Sequence, residues 1–225
     1  MIWRERKSEK EALIEEVSAE IAELENRLGW RALSDEVLTA LKQVPRDQFV
    51  PEESRYRAWE NHPLPIGYQQ TISQPFIVAI MTQLLNPEKN HRVLEVGTGC
   101  GYQAAVLSCL VEKVYSIEVI PELTRESELR LKNLGYNNIS LRCGDGYAGW
   151  SESAPFDGII VTAGTSLVPE PLVTQLKVGG RMVIPVGPAH QSQMLKVITK
   201  VNEHTVDIED IIPVVFVPFV RSELL

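Results

Sequence analysis

Three glycines and two acidic residues have the types and the spacing of a ligand-binding site. Gly97, Gly99 and Gly101 follow an apolar run with the composition of a buried strand. Glycines at such a point let the backbone turn sharply and approach a ligand closely, and the helix that follows offers free N–H donors. Glu118 ends the next apolar run, and Asp145 follows the third. This arrangement is typical of a nucleotide or nucleoside site.

The glycine spacing favours a nucleoside over a dinucleotide. Tyr102 stands where a dinucleotide-binding loop has its third glycine, which packs the helix beside a pyrophosphate. Glu118 stands where a carboxylate accepts the ribose hydroxyls, and Asp145 is placed either to accept the adenine amino group or to serve as a turn residue. For Glu95, a hydrogen bond to the glycine loop and a cofactor contact are both open. We therefore expect S-adenosyl-L-methionine, a nucleoside without a phosphate, as the cofactor.

Strands and helices alternate from residue 91 onward, and this alternation brings the site residues together. The pattern predicts strands at residues 92–97, 113–119, 138–145, 156–164 and 181–187, and helices at 102–110, 121–135 and 171–180. The apolar runs are too continuous for a sheet with one face in water, so we expect an α/β fold in which helices cover both faces of a mostly parallel sheet. Two further apolar runs, at 194–201 and 214–220, predict edge strands.

The first 30 residues have a pattern of their own. Apolar residues recur at spacings of three and four between residues 9 and 28, as in an amphipathic helix. The pattern covers about two heptads, whereas a stable coiled coil needs about three or four. A helix that packs on its own domain is therefore favoured, with a dimer seam as the alternative. We assign residues 1–30 to a helical N-terminal extension and residues 31–225 to the main domain.

A second helix and a long connection precede the regular part of the chain. Ser34 is a good N-cap for a helix that extends to Lys42. Residues 45–75 contain five prolines and no clear period, and irregular connections of this length are usually functional loops. Pro75 then begins a predicted helix that extends to Leu85.

The composition argues against nucleic-acid, membrane and metal partners. The chain has 22 Lys and Arg against 30 Asp and Glu, a net charge of −8, whereas proteins that hold a phosphate backbone are usually basic. Seven glutamates lie within residues 8–27, so part of the acidity belongs to the N-terminal segment. Three cysteines without a CxxC pair, and the lack of a long apolar run, indicate a reducing, cytoplasmic location. The four histidines lack metal-ligand spacing, and no metal is expected.

Two kinds of nucleic-acid methyltransferase are disfavoured by short motifs. Enzymes that methylate base or amide nitrogen often carry Asn or Asp, two prolines and an aromatic residue after the fourth strand, where this chain has TAGT at 162–165. Enzymes that attack pyrimidine carbon use a cysteine that usually follows proline. None of Cys100, Cys109 and Cys143 follows proline.

Longer motifs resemble those of the protein-L-isoaspartate O-methyltransferases over residues 35–221. The motifs are VPRDQFVPEE (44–53), PLPIG (63–67), TISQP (71–75), LEVGTGCGYQ (94–103), GDGYAGW (144–150), APFDGIIVTAG (154–164), LKVGGRMVIPVGP (176–188) and VVFVPFV (214–220). The glycine loop is shared by many methyltransferases, whereas TISQP preceded by PLPIG is nearly specific to this family. The resemblance implies a Rossmann-like class I methyltransferase fold and methyl transfer from S-adenosyl-L-methionine to the free carboxylate of L-isoaspartyl residues in damaged proteins and peptides.

The resemblance also implies roles for individual residues. Ser73 matches the residue assigned as catalytic, and its neighbours Thr71, Ile72 and Gln74 lie in the loop over the cofactor. The positions that match cofactor-binding residues are Glu95, Gly97, Gly99, Glu118, Asp145 and Gly146. Gln69 stands where many bacterial members have glycine, which puts the flexibility of this loop in question.

The expected chemistry needs no strong base, because a carboxylate with a pKa near ~4 is already ionised at neutral pH. We expect Ser73 to orient the substrate carboxylate and residues 63–75 to act as a lid that excludes water. The methyl ester then cyclises to a succinimide, which opens partly to normal aspartate. The alternatives are a cofactor-binding adaptor without catalysis and a methyltransferase of another small carboxylate. The oligomeric state, monomer or dimer, stays open.

Overall fold

The computed structural model describes residues 8–221 and contains a seven-stranded sheet. Its α-helices are α1 (Glu9–Glu23), α2 (Glu25–Leu28), α3 (Asp35–Gln43), α4 (Pro75–Leu85), α5 (Tyr102–Ser108), α6 (Pro121–Asn133) and α7 (Glu170–Thr174). Its strands are β1 (Leu64–Gly67), β2 (Gln70–Ile72), β3 (Arg92–Val96), β4 (Lys113–Glu118), β5 (Ile139–Cys143), β6 (Phe156–Val161), β7 (Leu176–Val186), β8 (Gln193–Asn202) and β9 (Thr205–Val214). Four short 3-10 helices lie at Arg46–Gln48, Glu52–Arg57, Gly146–Ala148 and Ser151–Ser153.

The order of the sheet places the glycine loop at a reversal of strand order. The order is β5-β4-β3-β6-β7-β8-β9. The strands from β5 to β7 are parallel, and β8 and β9 continue the sheet in antiparallel pairing. Because β4 lies on one side of β3 and β6 on the other, a crevice forms beyond the carboxyl end of β3, where ligands of open α/β sheets bind. The predicted mostly parallel sheet is confirmed.

Two apolar layers cover the sheet. Successive side chains of a strand point to opposite faces, so Val93 of β3 packs with buried residues of α1, α3, α4, α5 and α6, while Leu94 and Val96 pack with Leu172 of α7. Helices therefore cover both faces, as the sequence predicts. The carboxyl ends of the parallel strands remain as the accessible edge.

The predicted helix at 171–180 is wrong in its second half. α7 ends at Thr174, and Leu176 already pairs with Phe156 in the sheet. The buried ammonium of Lys200 donates hydrogen bonds to the carbonyls of Thr174 (3.3 Å) and Leu176 (2.9 Å). These bonds satisfy carbonyl groups that a longer helix would have used. Pairing with β6 therefore outweighs the helical pattern of this segment.

The predicted edge strand at 214–220 is also wrong. The edge strand is β9, which is largely exposed and polar and ends at Val214. From residue 215 the chain leaves the sheet, and Pro218 makes only an isolated bridge with Gly164. Proline lacks the N–H group that continued pairing requires. We call residues 215–221 the C-terminal strap.

The N-terminal helix packs into the same core as the sheet. α1 buries Leu13, Val17 and Ile21 and contacts α3 and α4. The continuous helix predicted between residues 9 and 28 is interrupted at Leu24, which separates α1 from α2. The division of the chain at residue 30 remains a proposal.

Two other helices begin where the sequence predicts. The Ser34 hydroxyl accepts a hydrogen bond from the Val37 N–H at 3.3 Å and caps α3. α4 begins with Pro75 in its first turn, a position at which the missing N–H of proline costs nothing.

The connection at residues 45–75 contains a hairpin that its lack of period does not predict. β1 and β2 pair antiparallel, with Tyr68 and Gln69 as the turn residues. The hydroxyl of Tyr68 donates a hydrogen bond to Glu126 of α6 at 3.1 Å. The hairpin is thereby held over the sheet end that carries the glycine loop.

Candidate active site

A cleft of about 790 Å³ lies at the carboxyl ends of the central strands. Its walls come from the loop between β2 and α4, the glycine loop after β3, the end of β4 and the C-terminal strap. The predicted site residues that line it are Thr71, Ile72, Ser73, Gly97, Gly99, Glu118 and Gly146. The three that do not line it are Gln74, Glu95 and Asp145.

Ser73 lies where this cleft meets a second, larger groove. The residues that line the groove include Gln74 and Phe76 as well as Pro213, Val214 and strap residues. Ser73 lines both spaces. A group on each side of Ser73 can therefore approach the same hydroxyl.

The glycine loop is held close to the end of β6. Gly97 has φ +98°, and a Cβ there would lie 2.3 Å from the hydroxyl of Thr162. That hydroxyl donates a hydrogen bond to the Gly97 carbonyl at 2.6 Å. A side chain at Gly97 would therefore break this contact as well as strain the backbone. Glycine at position 97 therefore allows the loop to lie against Thr162 at the edge of the cleft.

Glu118 is fixed at the rim of the cleft by backbone donors. Its two carboxylate oxygens accept hydrogen bonds from the N–H groups of Gly99 (2.8 Å) and Ile120 (3.0 Å). Each carboxylate oxygen accepts about two hydrogen bonds. Both oxygens of Glu118 thus retain an acceptor position for a pair of hydroxyl groups, although the residue is only 6% exposed.

Asp145 is held as a turn residue, and Gly146 forms the cleft wall beside it. The Asp145 carboxylate accepts a hydrogen bond from the Tyr147 N–H at 2.9 Å and pairs with the Arg221 guanidinium at 3.3 Å. The guanidinium also lies over the Tyr147 ring, 4.2 Å from its centroid. A Cβ on Gly146 would lie 2.4 Å from a methyl group of Val96. Any residue larger than glycine would displace Val96 in the cleft wall.

Glu95 is buried behind the cleft and reaches it through two hydroxyl groups. Its side chain is fully buried and is hydrogen-bonded to Ser116. The Ser116 hydroxyl is 2.6 Å from that of Thr98, which lines the cleft. Burial raises the pKa of Glu95 to about 8. Glu95 is therefore connected to the cleft through Ser116 and Thr98.

The polar lining is poor in positive charge. Within the part of the chain that the structure describes, neither the cleft nor the groove is lined by lysine or arginine. Their ionisable lining residues are Glu118, Glu20, His190, Cys100 and the two tyrosines Tyr68 and Tyr102. An anion in the groove thus meets hydroxyl and amide groups, the Glu20 carboxylate and the His190 imidazole, and no lysine or arginine. Residues 8–221 also hold no cluster of three metal-ligating side chains, and none of their helices has the length and apolarity to cross a membrane.

Sequence reasoning missed several contributors to the site, and three of them lie far from the glycine loop along the chain. Val217 and Phe219 of the strap line the cleft, and Glu20 of α1 lines the groove. The apolar pattern of 214–220 indicates burial but not the departure from the sheet. Glu20 has no local signal at all, because its role depends on contacts with residues far along the chain.

Comparisons with known proteins place this site in a family. Residues 17–224 match the family model of protein-L-isoaspartate(D-aspartate) O-methyltransferase. Protein-L-isoaspartate O-methyltransferase 2 of Polaromonas sp. is 51% identical over 206 residues, which cover 92% of this chain and 98% of that protein. The protein-L-isoaspartate O-methyltransferase of Opitutus terrae is 50% identical over 221 residues, which cover 98% of this chain and 90% of that protein.

Solved structures agree with this assignment. A protein-L-isoaspartate O-methyltransferase superposes with a TM-score of 0.81 at 28% identity, covering 95% of this chain and 66% of that one. A putative protein-L-isoaspartate O-methyltransferase from Plasmodium falciparum, in complex with S-adenosyl-L-homocysteine, gives a TM-score of 0.76 at 25% identity and covers 96% of this chain and all of that one. The matched residues include the loop with Ser73, the glycine loop and the C-terminal strap, and the chain belongs to the protein-L-isoaspartate(D-aspartate) O-methyltransferase family.

Proposed function

We propose that this chain transfers a methyl group from S-adenosyl-L-methionine to the free carboxylate of L-isoaspartyl residues, with the cofactor in the cleft and the substrate in the groove. The observation that carries this assignment is the position of Ser73, which lines both spaces, as do the two other hydroxyl-bearing residues Thr71 and Thr162. Acceptor and donor of the methyl group must meet in line. The boundary between the two spaces is the one place where both can reach the same side chain.

The cleft has the chemistry that an adenosine-type cofactor needs. Glu118 offers acceptors for the ribose hydroxyls, and Gly97 and Gly99 let the backbone approach the ligand. Apolar walls for the adenine ring come from Val96, Ile117, Val119, Ile120 and Phe219. We assign Thr71 and Ile72 to the cover over the cofactor, whereas Gln74 of the same loop lines the groove and lies on the substrate side.

The remaining predicted cofactor residues act in different ways. Gly146 gives the adenine end of the cleft its width, since a side chain there would collide with Val96. Asp145 does not line the cleft and supports that turn through Tyr147 and Arg221; a contact with the adenine amino group requires its carboxylate to turn toward the cleft. Glu95 contributes indirectly, through Ser116 and Thr98.

The residues around Ser73 orient an anion without binding it tightly. The Ser73 hydroxyl donates a hydrogen bond to one oxygen of the isoaspartyl carboxylate. The other carboxylate oxygen stays free to attack the methyl group. When bound, the cofactor supplies an electrophilic methyl group on a positively charged sulfonium. Because no lysine or arginine of the described chain lines either space, no protein cation competes for the substrate carboxylate. Closure of the lid, residues 63–75, excludes water from the transfer.

The product fits a repair reaction. The neighbouring backbone nitrogen attacks the carbonyl carbon of the methyl ester, its proton and the methoxy group leave as methanol, and a succinimide forms. A free carboxylate resists this attack because it has no comparable leaving group. Water then opens the succinimide, in part to normal aspartate. The substrates are isoaspartyl proteins and peptides of varied sequence, which suits an open groove with backbone groups from the strap on one side. The net charge of −8 argues against a nucleic-acid partner, and the three free cysteines agree with a reducing, cytoplasmic location.

Labelled cofactor and a pair of peptides test this proposal. The two peptides have one sequence and differ only in an isoaspartyl or an aspartyl residue. We expect methyl incorporation into the isoaspartyl peptide alone. A cofactor-binding adaptor without catalysis would label neither peptide, and a methyltransferase of another small carboxylate would label free dicarboxylic acids as well as or better than the isoaspartyl peptide. Either result would overturn the assignment.

A further inference from the structure

We propose that Glu20 of the N-terminal helix is a positioning residue for the loop that carries Ser73, and that it acts through Asn61. This inference rests on the role proposed for Ser73. It gives α1, the helix of the predicted extension, a part in the active site. Three hydrogen-bonding groups carry it: the Glu20 carboxylate, the Asn61 amide and the N–H of Phe76.

Helix α4 begins at Pro75, two residues after Ser73. The first N–H groups of a helix lack partners within the helix. The N-cap residue of α4, Gln74, makes no side-chain capping bond, and Pro75 has no N–H. The next N–H, that of Phe76, donates to the Asn61 carbonyl oxygen at 3.0 Å. Asn61 therefore serves as a cap supplied from outside the helix.

The Asn61 amide is held in one orientation. Its nitrogen donates a hydrogen bond to the Glu20 carboxylate at 2.8 Å. An ionised carboxylate only accepts hydrogen bonds, so the amide nitrogen has to face Glu20. The amide oxygen then faces the Phe76 N–H. Without Glu20 the Asn61 amide can rotate and present its nitrogen to the Phe76 N–H. An amide nitrogen cannot accept a hydrogen bond, so the N–H group would lose its partner.

Glu20 is fixed in position and lies beside the groove. Its helical neighbours Val17 and Ile21 are buried, with 1% and 0% exposure, so α1 fixes the position of the carboxylate. Glu20 also lines the groove together with Ser73, Gln74 and Phe76. The chain of hydrogen bonds thus connects a fixed helix to the residue that follows the TISQP motif.

Substitutions of Glu20 separate hydrogen bonding from charge. Glu20→Ala removes the acceptor, and we expect kcat/KM and the exchange protection of the Phe76 amide to fall about fivefold, the usual effect of losing a helix cap. Glu20→Gln keeps an acceptor oxygen and should restore both. Glu20→Lys places a donor against Asn61, draws the amide oxygen away from Phe76 and should reduce both at least as much as Glu20→Ala.

A second variant tests the orientation of the amide directly. Aspartate at position 61 presents an oxygen to Phe76 in either rotamer, so it needs no partner at position 20. The double variant Glu20→Ala with Asn61→Asp should therefore recover the protection lost in Glu20→Ala alone. Glu16→Ala is the matched control, because Glu16 is an exposed glutamate one turn away on the same helix, and it should leave both quantities unchanged.

The decisive measurement is amide hydrogen exchange at Phe76 in the full chain, with thermal unfolding to confirm that each variant is folded. Equal loss in Glu20→Gln and Glu20→Ala, unchanged protection in Glu20→Ala, or failure of the double variant to recover would overturn the proposal. This exchange experiment uses no substrate. A wild-type chain that fails to methylate isoaspartyl peptide would refute the proposed function and leave the exchange result to be judged on its own.

Discussion

At the scale of single residues, two glutamates near the glycine loop have opposite environments. Glu118 accepts two backbone N–H bonds at the rim of the cleft, where it can receive further donors. Glu95 is fully buried and contacts the hydroxyl of Ser116. Burial without a cation favours the neutral form of a carboxyl group. The two acids therefore serve the site differently: Glu118 offers acceptors to the cleft, whereas Glu95 is a buried carboxyl group with a raised pKa behind it.

The hydroxyl of Ser73 is expected to affect turnover and not cofactor binding. Ser73→Ala removes one hydrogen bond to a charged group, a loss of about 1.5–3 kcal/mol, so kcat should fall by about ten- to a hundredfold. The cofactor dissociation constant, measured by calorimetry, should stay the same. Glu118→Gln is the contrasting variant, and it should weaken cofactor binding because one ribose acceptor is lost. Parallel losses of turnover and cofactor affinity in Ser73→Ala would contradict an orienting role.

The ionisation of Glu95 predicts a pH dependence of stability. Burial raises its pKa in the folded protein from the ordinary value of 4.5 to about 8. The unfolded chain therefore releases this proton first, and stability falls as pH rises between these two values, by about 1.4 kcal/mol per pH unit at most. Below the unfolded pKa this contribution is fully present, and it is lost as pH rises through the folded pKa.

Glu95→Gln removes the titrating proton, and with it the fall in stability as pH rises. The free energy of unfolding of the variant, relative to the wild type, should increase as pH rises from about 5 to about 8 and stay constant above that. Urea unfolding across this range measures the difference. Parallel pH profiles for the two proteins would show that Glu95 is ionised in the folded state.

At the scale of elements, the hairpin of β1 and β2 contains backbone strain at its turn. Tyr68 and Gln69 have φ values of 52° and 58°, a conformation that two-residue hairpin turns require and that glycine and asparagine adopt most easily. Each non-glycine residue there costs about 1–2 kcal/mol. The tie between the Tyr68 hydroxyl and Glu126 at 3.1 Å helps to hold the turn in place.

Gln69→Gly should therefore stabilise the hairpin. The relief of about 1 kcal/mol should appear as slower amide exchange in β1 and β2. Gln70→Gly is the matched control, since Gln70 lies in β2 and forms the first pair after the turn. Glycine in a strand is unfavourable, so this control should speed exchange. The same direction of change in both variants would rule out strain at residue 69.

The elements also show which structural features the sequence could predict. Strands β3, β4 and β6 and the starts of α3 and α4 follow from apolar runs and from local capping by Ser34 and Pro75. The errors at residues 176–180 and 214–220 arise because long-range pairing decides those segments. Leu176 pairs with Phe156, and Pro218 ends the pairing of the strap after one bridge with Gly164. Apolar pattern predicts burial, but it does not distinguish a sheet edge from a strap across a cleft.

The candidate site could be predicted only in part for the same reason. The glycine loop, Glu118 and the TISQP segment are recognisable because each is a short motif, and the structure brings all three to one cleft. The route from Glu95 to the cleft runs through Ser116, 21 positions away along the chain. The contact of Glu20 with Asn61 spans 41 residues. Such pairs become visible only when the chain is folded.

At the scale of the whole molecule, α1 is part of the core that supports the site. Leu13, Val17 and Ile21 are 4%, 1% and 0% exposed and pack in the cluster that includes α3, α4 and α5. Burial of one such side chain contributes about 1.5–3 kcal/mol. Three of them together approach the net stability of a typical domain, which is about 5–15 kcal/mol. A division of the chain at residue 30 would therefore separate α1 from the helices with which it shares a core.

A chain that starts at residue 31 is expected to unfold at a markedly lower temperature than the full chain. Removing residues 1–30 exposes the faces of α3 and α4 that α1 covers, and it also removes the Glu20 carboxylate from the groove. The measurement is thermal unfolding with and without saturating cofactor. Ile21→Ala in the full chain should give part of the loss, about 2–5 kcal/mol for a buried isoleucine, whereas Ile14→Ala should give less because Ile14 is only partly buried. Equal melting temperatures for the short and the full chain would instead mean that residues 1–30 form an independent extension, and that the catalytic domain folds without them.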